Sequence, residues 1–147
     1  MRTVGPATLA DLGGLSDLLF DAGLPDRVGS RPGDVVIVVK EEGVVVAGAA
    51  VEHHGPDGLL RSVVVTDSWR GTGLGVRVVG EVLQAAANAG VGDLYLLTET
   101  APGFFERFGF DRVDRDSVPD DVAGSEEFAV LCCDTAVAMR LGRLADG

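Results

Sequence analysis

The chain has 147 residues, 46% of them apolar, enough for one domain with a sizeable core and too few for two ordinary domains. Its eleven arginines and the single Lys40 face 23 acidic residues, and the resulting net charge of −11 repels nucleic acid and anionic membranes. No apolar run approaches the ~20 residues of a membrane span, the N-terminus lacks the basic-then-apolar layout of a signal peptide, and the adjacent Cys132 and Cys133 suit neither a disulfide framework nor a metal site. A soluble, cytoplasmic, metal-free protein is therefore expected, with both cysteines buried or incidental. The acid-rich, lysine-poor surface also suits a saline cytoplasm, where concentrated salt screens the repulsion.

In chain order, Arg2 to Val4 reads as a short first strand. Thr8 with Asp11 three residues on reads as a capped helix start, and Leu9, Leu12, Leu15, Leu18 and Leu19 carry an apolar stripe to about Ala22. Gly13 and Gly14 should make that helix irregular. Gly23 to Pro32 reads as a loop or one helical turn. Three strand-like runs follow, Val35 to Lys40, Val44 to His53 and Leu59 to Val65, separated by Glu41-Glu42-Gly43 and Gly55-Pro56-Asp57-Gly58, so the three should be antiparallel neighbours.

After Thr66-Asp67-Ser68 comes Arg70-Gly71-Thr72-Gly73-Leu74-Gly75, and then Leu74, Val78, Val79, Val82, Leu83 and Ala86 recur at helical spacing up to a cap at Gly90. Three glycines in five positions leave the backbone bare at a helix N-terminus. Unbonded N–H groups and the positive end of the macrodipole there make a cradle for a phosphate or pyrophosphate. A nucleoside-triphosphate loop would need Lys and Ser or Thr after Gly75, where Val76 and Arg77 stand, and a dinucleotide fingerprint would need a small residue at Val76. Asp93 to Thr98 is the next strand, reached through a helix and so parallel to the Leu59 strand. Pro102 opens a short helix through Phe108, closed by Gly109, and Phe110 to Val113 and Thr135 to Leu141 supply late strands around an acidic, loop-rich stretch from Asp114 to Glu127. The fold class this order predicts is α+β, a mixed and mostly antiparallel central sheet flanked by helices.

Arg70, Gly73 and Gly75 stand in the three fixed places of the acetyl-CoA motif Gln/Arg-x-x-Gly-x-Gly/Ala, and in this the chain resembles the GCN5-related N-acetyltransferases. The element order and the aromatic helix Phe104-Phe105-Glu106-Arg107-Phe108-Gly109-Phe110 are similar to that family too, so the resemblance covers nearly the whole chain. It implies the acyl-CoA N-acyltransferase fold and acetyl-CoA as cofactor. Backbone N–H groups from Gly71 through Thr72, Gly73, Leu74 and Gly75 to Val76 would hold the pyrophosphate, with Arg70 beside them. Val63, Val64 and Val65 would pair by main chain with the pantetheine arm, and the amide of Val64 or Val65 would face the thioester oxygen as an oxyanion donor. A small amine or amino-acid-like acceptor is the implied partner, with a homodimer as a further option and neither nucleic acid nor membrane. A catalytically silent acetyl-CoA sensor is the alternative reading.

Transfer to an amine of pKa ~10.4 calls for a base. Glu52, His53, His54 and Glu99, each near the end of a strand, are the candidates, Glu52 and Glu99 against plain roles as an edge charge and a solvated loop acid. His53 and His54 precede a Gly-Pro turn and read as exposed. Arg61 on the central strand is a candidate for an acceptor carboxylate or oxyanion, or else for an ion pair with a neighbouring acid. Phe105 departs from the family: a Tyr matching it gives a proton to the leaving thiolate in many relatives, and Phe105 can only line the groove. Tyr95 reads as a core or groove aromatic. LLTETAPGFFERFGF resembles the amino-acid acetyltransferase branch, and FAVLCCDTAVAMRL resembles acetyltransferases associated with arsenic resistance, with Cys133 where those carry Pro.

Overall fold

A computed structural model describes residues 1–24, 28, 33–98, 101–125 and 136–142. Seven strands are hydrogen-bonded in the order β1-β2-β3-β4-β5-β7-β6, where β1 is Arg2–Pro6, β2 Val35–Glu41, β3 Val44–His54, β4 Asp57–Val65, β5 Leu94–Thr98, β6 Asp111–Arg112 and β7 Val137–Leu141. Helices α1 (Leu9–Asp21), α2 (Leu74–Asn88), α3 (Pro102–Glu106) and α4 (Asp120–Ala123) accompany them. The chain divides into two compact units, Met1–Glu52 with Leu60–Ala86, and His53–Leu59 with Ala87–Gly147. No helix among the described residues is long and apolar enough to cross a membrane.

In the first unit, β1 and β2 are antiparallel with Arg2 opposite Glu41, and β2 and β3 are antiparallel with Val35 opposite Val51. The turn between β2 and β3 is carried by Glu42 and Gly43 at φ of 51° and 79°. Two successive left-handed residues match the twist of the flanking strands. Ile37, Val38 and Val39 are all buried, as a continuous apolar run in a strand covered on both faces should be. The Thr8 hydroxyl accepts from the Asp11 N–H and the Asp11 carboxylate accepts from the Thr8 N–H, which closes the N-terminus of α1.

The expected irregularity of α1 does not occur; the helix is continuous for 13 residues. The intrinsic cost of its glycines, ~1 kcal/mol each, is offset by packing. A Cβ on Gly14 would lie 3.3 Å from the Val45 side chain, and a Cβ on Gly48 of β3 would collide with Leu15. Bare positions on both partners let Leu15 and Leu19 seat against Val38, Val45 and Val64. Along α2 the buried stripe is Leu74, Val78, Val79, Val82 and Ala86, with Gly90 beyond it at φ 87°.

In the second unit, β5 runs parallel to the start of β4 through Gly58–Leu94 and Leu59–Tyr95, and antiparallel to β7 from Leu94–Leu141 to Thr98–Val137. Leu59, Tyr95, Val118, Val122 and Ala138 form its core. Two of these belong to the stretch expected to be acidic and loop-rich. Within its described part a 3-10 turn at Arg115–Ser117 and α4 carry Val118 and Val122 inward, while Asp120 and Asp121 stay exposed at the helix start. His54 corrects a second expectation. Because β3 continues through His54, the side chain remains in the sheet and is 7% exposed, whereas His53 is half-buried. Asp93 receives the Arg140 guanidinium at 2.7 and 3.0 Å. Beside that pair, burial of the Tyr95 phenol pushes its pKa up, which fits a core aromatic. Most of the expected Gly23–Pro32 loop, Glu99, Cys132 and Cys133 lie outside the described residues.

Candidate acetyl-CoA site

The first unit carries the loop from β4 to α2. Its start is pinned where the Thr66 N–H donates to the Val46 carbonyl at 2.8 Å. One 3-10 turn, Asp67–Trp69, then reverses the chain. Arg70 Nε reaches back to the Val65 carbonyl at 3.4 Å and to Asp67 Oδ1 at 3.3 Å, and the Thr72 hydroxyl donates to the Trp69 carbonyl. Arg2 covers the Trp69 ring, 5.2 Å from its centroid. Gly71 and Gly73 take φ of 78° and 86°, a conformation that residues with a Cβ adopt at a cost of about 1–2 kcal/mol.

The Gly73 carbonyl accepts from the Arg77 N–H at 3.1 Å, which makes it the first acceptor of α2. The amides of Leu74, Gly75 and Val76 therefore have no carbonyl within the helix to meet. No acidic residue stands in the first turn of α2 to offset the macrodipole, in contrast to α1, whose N-terminus is closed by Asp11 and Thr8. A Cβ at Gly71 or Gly73 would meet no atom of the chain within 4 Å. The bare backbone thus faces open space, and a polyphosphate can approach it closely. Arg70 through Gly73 and Val76 are exposed, whereas Leu74 anchors its side chain in the core and presents only main chain.

Upstream, β4 places Val63 and Val65 half-buried and gives the Val64 side chain to the core beside Leu15 and Leu19. Ser62 between Arg61 and Val63 has φ 61°, a left-handed residue inside a strand. Its hydroxyl oxygen is buried with no hydrogen-bond partner among the described residues. The backbone costs about 1–2 kcal/mol and the unmet hydroxyl about 1–3 kcal/mol, a large local debt for a strand residue. The sequence reading passed over Ser62; its one signal is a second polar residue within the apolar run LLRSVVV.

Of the candidate side chains, Glu52 and Arg61 are brought together. Arg61 Nη1 donates to Glu52 Oε2 at 2.9 Å, with the Arg61 side chain almost fully buried and that of Glu52 nearly so. This is the ion pair that sequence reasoning left open. The second unit holds Phe105, 8% exposed and edge-on to Phe104 at 5.1 Å and to Phe110 at 6.0 Å between ring centroids. Gly109 turns the chain between Phe108 and Phe110 at φ 97°.

Residues 32–112, more than half of the sequence, match the model of the acetyltransferase (GNAT) domain. The chain belongs to this family. Acetyl-CoA is the acyl donor of GNAT enzymes. The fold likeness is to N-acetylglutamate synthase from Neisseria gonorrhoeae complexed with coenzyme A and N-acetyl-glutamate, with TM-score 0.77 and 16% identity over 98% of this chain and 35% of that one. Rv2747 from Mycobacterium tuberculosis, in complex with CoA and NLQ, gives TM-score 0.77 at 22% identity over 95% and 98% of the two chains. Glucosamine-6-phosphate N-acetyltransferase from Arabidopsis thaliana gives 0.65 at 20% identity over 78% and 94%. At such identities these likenesses establish the fold alone, and the chain spans only about a third of the gonococcal synthase. No curated protein matches the sequence.

Proposed function

We propose that this GNAT chain is an acetyl-CoA-dependent N-acetyltransferase that moves the acetyl group directly to the amine of a small molecule of amino-acid type. The observation that carries the reading is the N-terminus of α2, with Gly71 and Gly73 left-handed and facing open space and no acid in the first turn. N–H groups from Gly71 to Val76 hold the pyrophosphate, and Arg70, fixed by Asp67 and the Val65 carbonyl, supplies positive charge within a Debye length of it. These local donors act at short range against a chain charge of −11. The main chain of Val63 to Val65 pairs with the pantetheine arm, and the Val64 or Val65 N–H addresses the thioester oxygen. Acetyl-CoA, once bound, supplies the activated acyl group.

Glu52 and Glu99 are the bases proposed for the acceptor ammonium, Glu52 with the Arg61 guanidinium on one of its oxygens. Arg61, oriented by that bond, is the proposed partner of the acceptor carboxylate. An amino-acid-like acceptor is supported by the fold likeness to the gonococcal N-acetylglutamate synthase. Phe105 has no proton to give, and this favours a second reading in which the chain binds acetyl-CoA without turnover. Thiol release from acetyl-CoA over a panel of amino acids and small amines separates the two. Acceptor-dependent release establishes the transferase. Tight acetyl-CoA binding with no release from any acceptor leaves the silent binder, and absence of binding removes both.

A further inference from the structure

Helix α1 carries the two most exposed large apolar side chains of any described helix or strand: Leu9 is 89% exposed and Phe20 72%. They stand about three turns apart, which returns them to one face of the helix. Gly13 lies between them on that face, exposed, and a Cβ there would meet nothing beyond its own helix within 4 Å. Contact with Val45 accounts for Gly14, but no described contact accounts for Gly13, which weakens the helix it sits in. The helix ends on the exposed Asp21, with no basic residue in its last turn. An acid there faces the negative end of its own macrodipole. Two apolar side chains in water, a mid-helix glycine without a contact and an acid at the wrong pole are thus unfavourable features of one helix.

One arrangement relieves all of them. In an antiparallel pair of α1 helices whose two-fold axis passes between Gly14 and Leu15, Leu9 lies opposite the partner's Phe20, Gly13 opposite the partner's Ser16, and Asp21 opposite the partner's Thr8. Small residues at the waist let the two backbones approach closely, and the large apolar side chains pack on either side of it. Each Asp21 comes to the positive end of the other helix, and the two macrodipoles oppose one another. A patch complementary to itself under a two-fold rotation is what an isologous interface requires. We propose that the exposed face of α1 docks a second copy of this chain in such an antiparallel pair. The pairing is independent of the acetyl-CoA reading. Its strength is bounded by size and charge. A 13-residue helix is about 20 Å long and 10–12 Å across, so one face of it offers less than the ~800 Å² per partner of a stable complex, and two chains of −11 repel. The pair is therefore reversible, with a Kd of roughly 10 μM to 1 mM, and it tightens as salt shortens the Debye length from about 10 Å at 0.1 M to about 3 Å at 1 M.

Sedimentation equilibrium of the full chain up to about 1 mM, in roughly 0.1 and 1 M KCl, tests this, with melting curves on dilute protein to verify the fold of each variant. Expected is a monomer–dimer equilibrium with the lower Kd at the higher salt. Leu9→Lys and Phe20→Glu should each weaken it about tenfold or more while leaving the dilute Tm unchanged, because both side chains are in water in the monomer. Combining Leu9→Lys with Phe20→Glu should associate more tightly than either single variant, since the antiparallel register sets the new opposite charges against each other. Gly13→Gln should raise the dilute Tm through helix propensity and still weaken the dimer, a combination that a role in folding alone does not produce. A chain that stays monomeric throughout would overturn the proposal. So would a dimer that salt weakens, one that Leu9→Lys and Phe20→Glu leave intact, or a double variant no tighter than the singles, which would put the copies in a different register.

Discussion

Gly73→Val places two methyl groups on a backbone whose φ is 86° and whose missing Cβ faces open space. Since no atom of the chain lies within 4 Å of that position, the stability loss comes from the backbone and not from a clash. A left-handed residue with a Cβ costs about 1–2 kcal/mol, well inside the 5–15 kcal/mol of a typical domain, so the variant folds, with a Tm roughly 2–8 °C lower. The effect on the ligand is larger. Bulk at Gly73 keeps a pyrophosphate away from the N–H groups of Leu74, Gly75 and Val76, and loss of one or more charge-assisted hydrogen bonds at about 1.5–3 kcal/mol each weakens acetyl-CoA at least tenfold. Gly73→Ala carries most of the backbone cost with little of the bulk, so its Tm should resemble that of the valine variant while its affinity falls less. Gly80→Ala, exposed on α2 with no neighbour within 4 Å of its Cβ, is the control and should gain about 0.5–1 kcal/mol without altering binding. Melting curves and calorimetry read all three. A folded Gly73→Val with unchanged acetyl-CoA affinity would refute the cradle, and so would a Gly80→Ala variant that loses affinity as much as Gly73→Val does.

The bond from the Thr8 N–H, with Lys40 at 3.3 Å, holds the Asp11 carboxyl below its usual 3.8, against the opposing effect of burial; a folded pKa below the unfolded one gives stability that is present above pH ~4 and lost as pH falls through the folded value. Asp11→Ala should therefore cost about 1.5–3 kcal/mol at pH 7, and its difference from wild type should shrink in urea melts taken below pH 3.8; a pH-independent difference would contradict this. If the charge of −11 is an adaptation to salt, Tm should rise from low to molar KCl, and a flat or falling Tm removes that reading. Phe105→Tyr discriminates groove from core: a hydroxyl reaching the thiolate speeds turnover, most clearly below the thiol's pKa, with Tm unchanged, whereas one trapped among Phe104 and Phe110 lowers stability by about 1–3 kcal/mol and leaves the rate alone.

The sequence made legible what short-range chemistry determines. Thr8 and Asp11 announced α1 because their capping bonds span three residues, and the glycines at 71, 73 and 90 marked the positive-φ positions around α2 because few other residues accept them. What stayed illegible depends on partners far along the chain. Gly14 reads as a helix weakness until Val45, 31 positions later, is seen to occupy the space its Cβ would need. Val118 and Val122 sit in a run of acids whose charge dominates any composition window, and only their seats against Leu59, Tyr95 and Ala138 show the segment to be core. Arg61 was legible as an anomaly in an apolar strand, but its bond to Glu52 at 2.9 Å joins residues nine positions apart and is visible only in three dimensions.

Ser62 marks the sharpest limit, because left-handed geometry in a strand is a property of the backbone that a serine neither requires nor advertises. A sequence reports what a residue prefers, and a residue held against its preference is visible only in three dimensions. For that reason the positions where local reasoning failed here are unequal in meaning. At Gly14 the local cost is repaid by a visible contact, so the position is explained within the fold. At Ser62 the φ of 61° and the buried hydroxyl meet no such contact among the described residues, and no residue type in the strand foretells either.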